Sequence, residues 1–438
     1  MSLKTCTWST DRRGCLSEAK AFGLYLGQNH YVKIRVYATS SVIGSTGGVL
    51  SLARNLVGLR FFANWTASCR RVNSSHSWLL NVAWRKGSGE IRRPISTRWK
   101  RALLNCHLIK GAHARDLSHM NKEILGIHHV TAIASDPQRN VDFYVGVLGL
   151  RLVKLTVNYD EPSTYHLYYG DELGNPGTIL TFFAWPGGPN GRIGTGQLTT
   201  TSFSIPEAAI SFWMDRLKSH NVPFQGPTAR FNERVLSFSD PDGLQLELVA
   251  TDNPHRDGVW KEGPVPLEYG LSGFHSVSLS EASLERTSSL LTETMVFRRT
   301  GQAGNRIRYE VGLGDQPTIV DVLTELNVPR GIVSVGTVHH VAWRTPDDGQ
   351  QKTWREQLLG VGMNVTPVID RKYFHSIYYR EPGGILFEIA TDPPGFTVDE
   401  PADQLGTRLS LPTWLESHRL EIEQTLPPVR LPTLVKAR

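Results

Sequence analysis

Behind Met120 the chain alternates apolar and other residues over short runs, a pattern typical of β-strands. The first run, residues 127–133, leads into Asp136-Pro137, a dipeptide that favours the start of a helix with proline at its first position. Apolar residues then recur at helical spacing until Gly149, which indicates the helix end. Three more alternating runs follow before Trp185. This stretch is therefore predicted to form a strand, a helix and three further strands.

The same order of elements recurs along the chain. Residues 239–252 (SDPDGLQLELVATD) and 380–392 (REPGGILFEIATD) each give a Pro-Gly turn, an alternating strand and a glutamate, while residues 126–132 (GIHHVTA) and 337–343 (TVHHVAW) are near-copies. We predict an α+β fold of four βαβββ modules, each too small to bury much alone and therefore paired with another. The predicted modules span residues 125–185, 197–252, 270–325 and 336–391, and a tail with one short helix follows over 397–438.

The segment in front of Met120 differs in composition. Residues 1–119 carry 19 Lys and Arg against 4 Asp and Glu, whereas the rest carries 28 against 37. The high isoelectric point belongs to this segment alone, so it gives no reason to expect nucleic-acid binding by the remainder. Its one apolar stretch is broken by Arg54 and Arg60, which argues against a membrane span. We expect a poorly structured segment outside the working fold, with an organellar transit peptide or a genuine basic module as alternatives.

The doubled histidines carry the candidate chemistry. Alternation along a strand sends only one histidine of each pair into a given cavity. Within the last module, His340 and Glu388 lie on a first and a last strand, which a curled four-stranded sheet can bring side by side. A third ligand must then come from another module, and His129 supplies it. A lone strand histidine is more often satisfied by the backbone, but two copies with a matched glutamate favour a metal site.

The ordered set IHHVT, YHLYYGDELGNPGT, GFHS, VHHVAW, DRKYFHSIYYREPGG and LFE resembles the vicinal oxygen chelate superfamily, the glyoxalases and extradiol dioxygenases. Within that superfamily it is most similar to the hydroquinone-type ring-cleaving dioxygenases, from about Ile124 to Leu426. The resemblance implies two curled-sheet barrels, with modules one and four closing on each other. It implies that the metal is held by His129, His340 and Glu388.

Two neutral imidazoles and one carboxylate are the facial set that leaves positions open on non-heme Fe(II); Zn(II) and Mn(II) would also accept these ligands. The place of Glu388 in module one falls near Thr181, a non-ligand, whereas a glyoxalase-type isomerase usually has a fourth side chain there. We therefore prefer an oxygenase.

The resemblance also implies a set of catalytic residues around the metal. A cation and a phenol stand on the strand before Glu388, where Arg371 is suited to fix a distant substrate oxygen and Tyr378 to hydrogen-bond the reacting one. The family has further polar residues beside its ligands, which here are Thr131, His128 and His339. We expect His166, His255 and His375 to be structural.

A second group consists of Glu247, His275 and Asp321 in modules two and three. The same strand geometry lets them approach one another, but they offer only one imidazole. We interpret them as a vestigial repeat position or a buried ion pair rather than a second metal site.

These observations predict a ring-cleaving dioxygenase that uses Fe(II) and O2 to open a dihydroxylated ring, with the preference for a para-diphenol resting on the resemblance. Catechol-type extradiol cleavage, a glyoxalase-like metal-dependent isomerase and a non-catalytic small-molecule-binding protein of the same fold are the alternatives. The expected partners are a small aromatic substrate and O2, with no nucleic acid and no membrane, in a cytoplasmic protein for which a homo-oligomer is compatible with the sequence.

Overall fold

The computed structural model of the protein describes residues 124–252, 258–312 and 318–431, together with the backbone of eight short strands among the first 123 residues. Two compact units are distinguished, Met1–Arg115 and Asp116–Arg438. In the first unit β1 pairs with β2, β3 with β4, and β5 to β8 form a four-stranded sheet. These strands are β1 Trp8–Thr10, β2 Leu16–Ala19, β3 Phe22–Tyr25, β4 Tyr31–Ile34, β5 Val49–Leu52, β6 Trp65–Arg71, β7 Trp78–Lys86 and β8 Gly89–Glu90. The expectation that residues 1–119 lie outside the working fold falls largely on residues outside those described, and it stays a prediction.

The described residues of the second unit form sixteen strands. They are β9 Ile127–Ala134, β10 Arg151–Asn158, β11 Glu161–Gly170, β12 Ile179–Ala184, β13 Gln197–Pro206, β14 Phe224–Arg230, β15 Glu233–Ser239, β16 Gln245–Thr251, β17 Phe274–Glu281, β18 Arg298–Ala303, β19 Arg306–Val311, β20 Thr318–Thr324, β21 Val338–Thr345, β22 Ile369–Asp370, β23 Phe374–Arg380 and β24 Leu386–Pro394. The α-helices are α1 Pro137–Val141, α2 Ile210–Ser219, α3 Glu285–Ser289, α4 Asp348–Gly360 and α5 Arg419–Thr425. Single π-helical turns extend α1 over Asp142–Val147 and α3 over Leu290–Thr294, and 3-10 turns lie at Glu207–Ala209, Leu267–Tyr269, Phe396–Val398, Ala402–Gln404 and Glu416–His418.

The sixteen strands form two curled sheets of eight. The first sheet has the order β10-β11-β12-β9-β21-β24-β23-β22, and the second has the order β14-β15-β16-β13-β17-β20-β19-β18. At the centre of the first, β9 runs antiparallel to β21, while β12 and β24 flank them in parallel. Modules one and four therefore share one sheet and modules two and three share the other. The predicted fold of four βαβββ modules paired into two curled sheets is confirmed.

The first helix begins where the sequence predicts. The Asp136 carboxylate accepts a hydrogen bond from the backbone N–H of Arg139, and Pro137 occupies the first turn, where its missing N–H costs nothing. Gly149 ends the turn in the left-handed region, at φ +70°, which a side chain would strain. Between them Val141 and Tyr144 are buried against the sheet. The local sequence thus returns the chain to the sheet edge at β10.

The tail contacts the first sheet through both charge and backbone. Lys154, fully buried on β10, forms ion pairs with Asp399, at 2.7 Å, and with Glu400. The backbone N–H of Ser410 donates to the carbonyl of Leu155.

Among the described residues, none of the helices has the length and apolar character needed to cross a bilayer.

Candidate metal centre

The two doubled histidines lie at β-bulges on the paired central strands. In the β9–β21 pairing, Ala342 opposes His129 and Trp343 opposes Ile127, so His128 is an extra residue on β9. On β21, Val338 opposes Ala132 and His340 opposes Thr131, so His339 is extra there. A bulge sets two residues against one and breaks the alternation of faces. The strict alternation assumed from the sequence is therefore wrong at these positions.

The bulges bring each histidine pair into side-chain contact. The Nδ1 atoms of His128 and His129 are 3.0 Å apart, and those of His339 and His340 are 2.7 Å apart. In each contact one ring must donate and the other accept. If His129 and His340 are the donors, their Nε2 atoms carry lone pairs, which is the tautomer that a metal ligand needs. The family-implied neighbours His128 and His339 are thus placed to orient the rings of His129 and His340.

Three buried side chains converge at the centre of the sheet. The Nε2 atoms of His129 and His340 are 3.2 Å apart, and they lie 3.3 Å and 3.0 Å from Oε2 of Glu388. Among the described residues this is the one group of three or more His, Cys, Asp or Glu side chains close enough to share a metal ion. We call it the candidate ligand triad.

The dimensions of the triad fit a metal ion. Two atoms each about 2.1 Å from one ion are about 3.0 Å apart at a right angle and about 3.4 Å apart at a tetrahedral angle. The observed edges of 3.0 to 3.3 Å lie in this range. The other oxygen of Glu388, Oε1, accepts a hydrogen bond from Ser376, whereas Oε2 faces the imidazoles and is buried without a conventional hydrogen bond. A buried carboxylate oxygen in this position is suited to a cation.

Electrostatics set the charge of the triad. Burial by itself would raise the pKa of Glu388, but His129 and His340 outweigh it and hold this pKa well below its usual range. Burial lowers the pKa of His340 despite the opposing effect of Glu388. Burial likewise lowers the pKa of His128 well below its ordinary value and that of His339 to about 3. A carboxylate that stays deprotonated beside imidazole nitrogens is suited to a divalent cation.

Tyr378 lies beside the triad, and Arg371 contacts Tyr378. Tyr378 opposes Glu388 in the β23–β24 pairing, and its ring centroid is 5.8 Å from that of His340. Arg371 donates from Nε to the Tyr378 hydroxyl at 3.3 Å and from Nη1 to Asp160 at 3.0 Å. Burial, followed by the charge of Glu388, raises the pKa of Tyr378, so its phenol keeps its proton at neutral pH. Both side chains are half-buried and so remain accessible to a ligand.

The sequence analysis expected His166 to be structural, and that expectation stays a prediction. The structure places His166 on β11, half-buried, with Nε2 at 2.9 Å from Thr181 Oγ1 and Nδ1 at 3.0 Å from Tyr168 Oη. Thr181 in turn lies 2.8 Å from Thr131, the residue two positions beyond His129. The sequence contained a signal for the position of His166 in the repeat, because Tyr168 and Tyr378 occupy the same place in the repeated YY segments.

The group in modules two and three forms an ion-pair network. Glu247 is held by both terminal nitrogens of Arg230, at 2.9 and 2.7 Å. Asp321 accepts from Arg306 and Arg308, and His275 lies 3.2 Å from Glu233. The carboxylates that a metal would need are thus paired with guanidinium groups, which supports the ion-pair interpretation.

The remaining histidines were expected to be structural. His375 contacts Asp348 of α4 at 2.6 Å and is not a member of the triad. His255 lies outside the described residues.

Two sheets of paired βαβββ modules define the glyoxalase fold class, and the buried His-His-Glu triad between modules one and four is a candidate metal site. The profile of the Glyoxalase/Bleomycin resistance protein/Dioxygenase superfamily matches residues 126–248. "Putative ring-cleaving dioxygenase MhqO" of Bacillus subtilis strain 168 is 47% identical over 310 residues, covering 70% of this chain and 98% of that protein. The chlorohydroquinone/hydroquinone 1,2-dioxygenase of Sphingobium indicum is 35% identical over 313 residues, covering 70% and 97%.

A crystal structure of a "putative dioxygenase" from Bacillus subtilis subsp. subtilis strain 168 has 47% sequence identity and a TM-score of 0.68, and the match covers 70% of this chain and 98% of that one. The chain belongs to the Glyoxalase/Bleomycin resistance protein/Dioxygenase superfamily, and within it is an enzyme of the dioxygenase class. Membership of this class implies a divalent metal, and the triad is a site that fits one.

Metal binding is expected to stabilise the protein. A ligand that binds only the folded state adds about 2.7 kcal/mol to the free energy of unfolding at 100 times its Kd. Adding Fe(II) or Mn(II) anaerobically to chelator-treated protein should therefore raise Tm, as measured by scanning calorimetry. The Glu388→Gln protein should show little or no increase. An equal increase in both proteins would contradict the triad as the binding site.

Proposed function

We propose that this protein is a ring-cleaving dioxygenase that uses Fe(II) and O2 to open a hydroquinone. The observation that carries the proposal is the buried triangle of two imidazole nitrogens and one carboxylate oxygen, with edges of 3.0 to 3.3 Å. His129, His340 and Glu388 would hold Fe(II) as a facial set, which would leave room for a phenolic oxygen and O2.

Comparison of the two repeats supports a site with three protein ligands. Glu388 opposes Ala342 in the β21–β24 pairing, and Thr181 opposes Thr131 in the β9–β12 pairing. Because Ala342 and Thr131 each follow a ligand histidine by two residues, Thr181 is the repeat counterpart of Glu388. Its hydroxyl is engaged by Thr131 and His166. We therefore favour three protein ligands over the four that a glyoxalase-type isomerase usually has.

Iron, when bound, supplies Lewis acidity and a site for O2 activation. The protein's own residues have distinct tasks. Burial lowers the pKa of His340, and the contacts from His128 and His339 orient the rings of His129 and His340. Tyr378 keeps its proton and can donate it in a hydrogen bond to a substrate oxygen, while Arg371 offers a fixed positive charge at the same side. A proton donor and a positive charge on one side of the site would stabilise a substrate that becomes anionic.

The preference for a para-diphenol comes from the relatives. The Sphingobium protein is named a chlorohydroquinone/hydroquinone 1,2-dioxygenase, and three Bacillus subtilis relatives at 38 to 47% identity are named as ring-cleaving dioxygenases. A hydroquinone is a flat aromatic ring with an ionisable oxygen at each end. One oxygen would reach the triad while the other lies farther out, within reach of a cation such as Arg371.

Oxygen uptake tests the proposal. Fe(II)-loaded protein should consume one O2 per hydroquinone, and with labelled O2 both oxygen atoms should appear in the ring-opened product by mass spectrometry. Faster turnover of catechol would favour extradiol cleavage. Turnover of a thiol adduct without O2 would favour the isomerase, and ligand binding independent of metal would favour a sequestering protein. Either of the last two results, without hydroquinone-dependent O2 uptake, rules the proposal out.

We also propose that this activity resides in the part of the chain after residue 119, in a cytoplasmic protein. A chain that begins at Met120 should retain its metal content and its rate of O2 uptake, both measured beside the full chain. A large loss in the shorter chain would show that residues 1–119 contribute to the working fold.

A further inference from the structure

Four side chains on the module-one half of the first sheet form a continuous hydrogen-bonded row. Tyr168 Oη lies 3.0 Å from His166 Nδ1, His166 Nε2 lies 2.9 Å from Thr181 Oγ1, and Thr181 Oγ1 lies 2.8 Å from Thr131 Oγ1. We call this row the hydroxyl chain. It crosses β11, β12 and β9 and ends two residues from His129, at the strand position that faces His340.

The internal repeat shows that His166 has a special position. Tyr168 opposes Thr181 as Tyr378 opposes Glu388, so the two halves of the sheet correspond residue by residue. In the module-four half, Ser376 donates to Glu388 and thereby holds a ligand carboxylate. The counterpart of Ser376 is His166, and it holds a hydroxyl instead. In the module-one half, where the last strand β12 has Thr181 in place of a ligand carboxylate, a row of hydrogen bonds thus occupies the equivalent place.

The hydrogen bonds of the hydroxyl chain have a preferred donor-to-acceptor direction. A phenol is a better donor than acceptor, because its lone pairs are delocalised into the ring, so Tyr168 donates to Nδ1 of His166. Burial lowers the pKa of His166 well below its ordinary value, so the ring is neutral and its single proton is then on Nε2. That proton goes to Thr181, whose own hydroxyl donates to Thr131. Among the described residues Thr131 Oγ1 has no second hydrogen-bond partner, which leaves its proton free for a ligand.

We propose that His166 is a positioning residue that, through Thr181, fixes the hydroxyl of Thr131 as a hydrogen-bond donor to an anionic oxygen of a ligand at the open face of the candidate ligand triad. The ligand class is a phenolate. A threonine hydroxyl rotates freely when nothing fixes it, and a hydroxyl chain that begins at a phenol and passes through one neutral imidazole favours one direction. His166 thereby favours the ionised form of the ligand without touching it. The choice of a phenolate as the ligand rests on the proposed function.

Anaerobic binding of 4-nitrophenol to the Fe(II)-loaded full chain tests this role, because the absorption of that probe distinguishes phenol from phenolate. His166→Phe keeps a ring but removes both nitrogens. It should weaken binding of the phenolate about tenfold, the loss expected for one hydrogen bond to a charged oxygen, and raise the pH at which the bound probe ionises. Metal content should stay that of the unmodified protein, because His166 is not a ligand.

Three further variants separate the role from simple packing. Tyr168→Phe removes only the first donor and should weaken binding in the same direction. His166→Gln, whose amide offers a donor to Thr181, should restore most of the affinity. Tyr169→Phe is the matched control, since this hydroxyl on the next residue donates to Asn140 outside the chain, and binding should not change.

Several results would overturn the proposal. Unchanged phenolate binding in both His166→Phe and Tyr168→Phe excludes a directed chain, as does loss of metal in either variant. Failure of His166→Gln to exceed His166→Phe shows that ring packing, not hydrogen bonding, matters. If His166→Phe does not fold, Tyr168→Phe decides alone. Absence of O2 uptake with hydroquinone in the unmodified protein would refute the proposed function, while the anaerobic comparison would still decide the role of His166.

Discussion

Replacing Glu388 with glutamine is expected to abolish metal retention and, with it, O2 uptake. Glu388 is the acidic member of the triad, and its Oε2 faces both imidazoles at 3.0 and 3.3 Å. Glutamine keeps the acceptor for Ser376 but brings no negative charge to a divalent cation. Loss of an outer hydrogen-bond partner of a metal ligand costs roughly 10–100-fold in affinity, and loss of a charged ligand should cost more. Metal content after dialysis, measured by elemental analysis, reports the effect directly.

Glu247→Gln is the matched control. Glu247 is also a nearly buried glutamate on the last strand of a module, but it is paired with Arg230 in the second sheet. Its replacement should leave metal content unchanged while lowering the free energy of unfolding by on the order of 3 kcal/mol, because Arg230 loses a desolvated partner. Full metal content and normal O2 uptake in Glu388→Gln would remove Glu388 from the candidate ligands.

Tyr378→Phe is expected to lower kcat by about 100-fold without changing the metal content, in line with the loss of one positioned proton donor. The phenol opposes Glu388 across the strand pair and receives a hydrogen bond from Arg371. Its raised pKa keeps it protonated, so the activity should show no inflection from Tyr378 as pH rises through neutrality. Steady-state O2 uptake should reveal a fall in kcat larger than any change in KM.

The adjacent residue provides the control for this prediction. Tyr379 lies on the opposite face of β23, buried in the core, with its hydroxyl 3.4 Å from the sulfur of Met295. Tyr379→Phe should therefore leave kcat close to that of the unmodified protein. A normal kcat in Tyr378→Phe, or a fall accompanied by loss of metal, would contradict the assigned role.

Repetition made much of the fold predictable. The near-copies around the doubled histidines and the Pro-Gly turns fix the number of modules, and each module repeats a local pattern that a short window of sequence can show. The helix start at Asp136-Pro137 was predictable for the same reason, because capping depends on neighbouring residues. The three residues of the triad were also within reach, although their selection relied partly on family resemblance.

The bulges at His128 and His339 were not predictable from alternation. A bulge is defined by the register between two strands, and these strands are brought together from positions 211 residues apart. The local sequence of β9 does not indicate which residues of β21 will lie opposite it. The same reason explains why the contacts of His166 were not predictable, since Thr181 and Thr131 lie on two other strands.

The sequence by itself determined the module count, the order of elements and the short list of residues able to bind a metal, because periodicity and residue chemistry are local properties. Only the tertiary structure decided which of these residues meet. In the folded protein Glu388 lies beside two imidazoles, whereas Glu247 and Asp321 pair with arginines. His166 is connected to Thr131 by hydrogen bonds through Thr181. The physical reason is that strand register and sheet closure result from cross-strand hydrogen bonds over the whole sheet, which no short segment specifies.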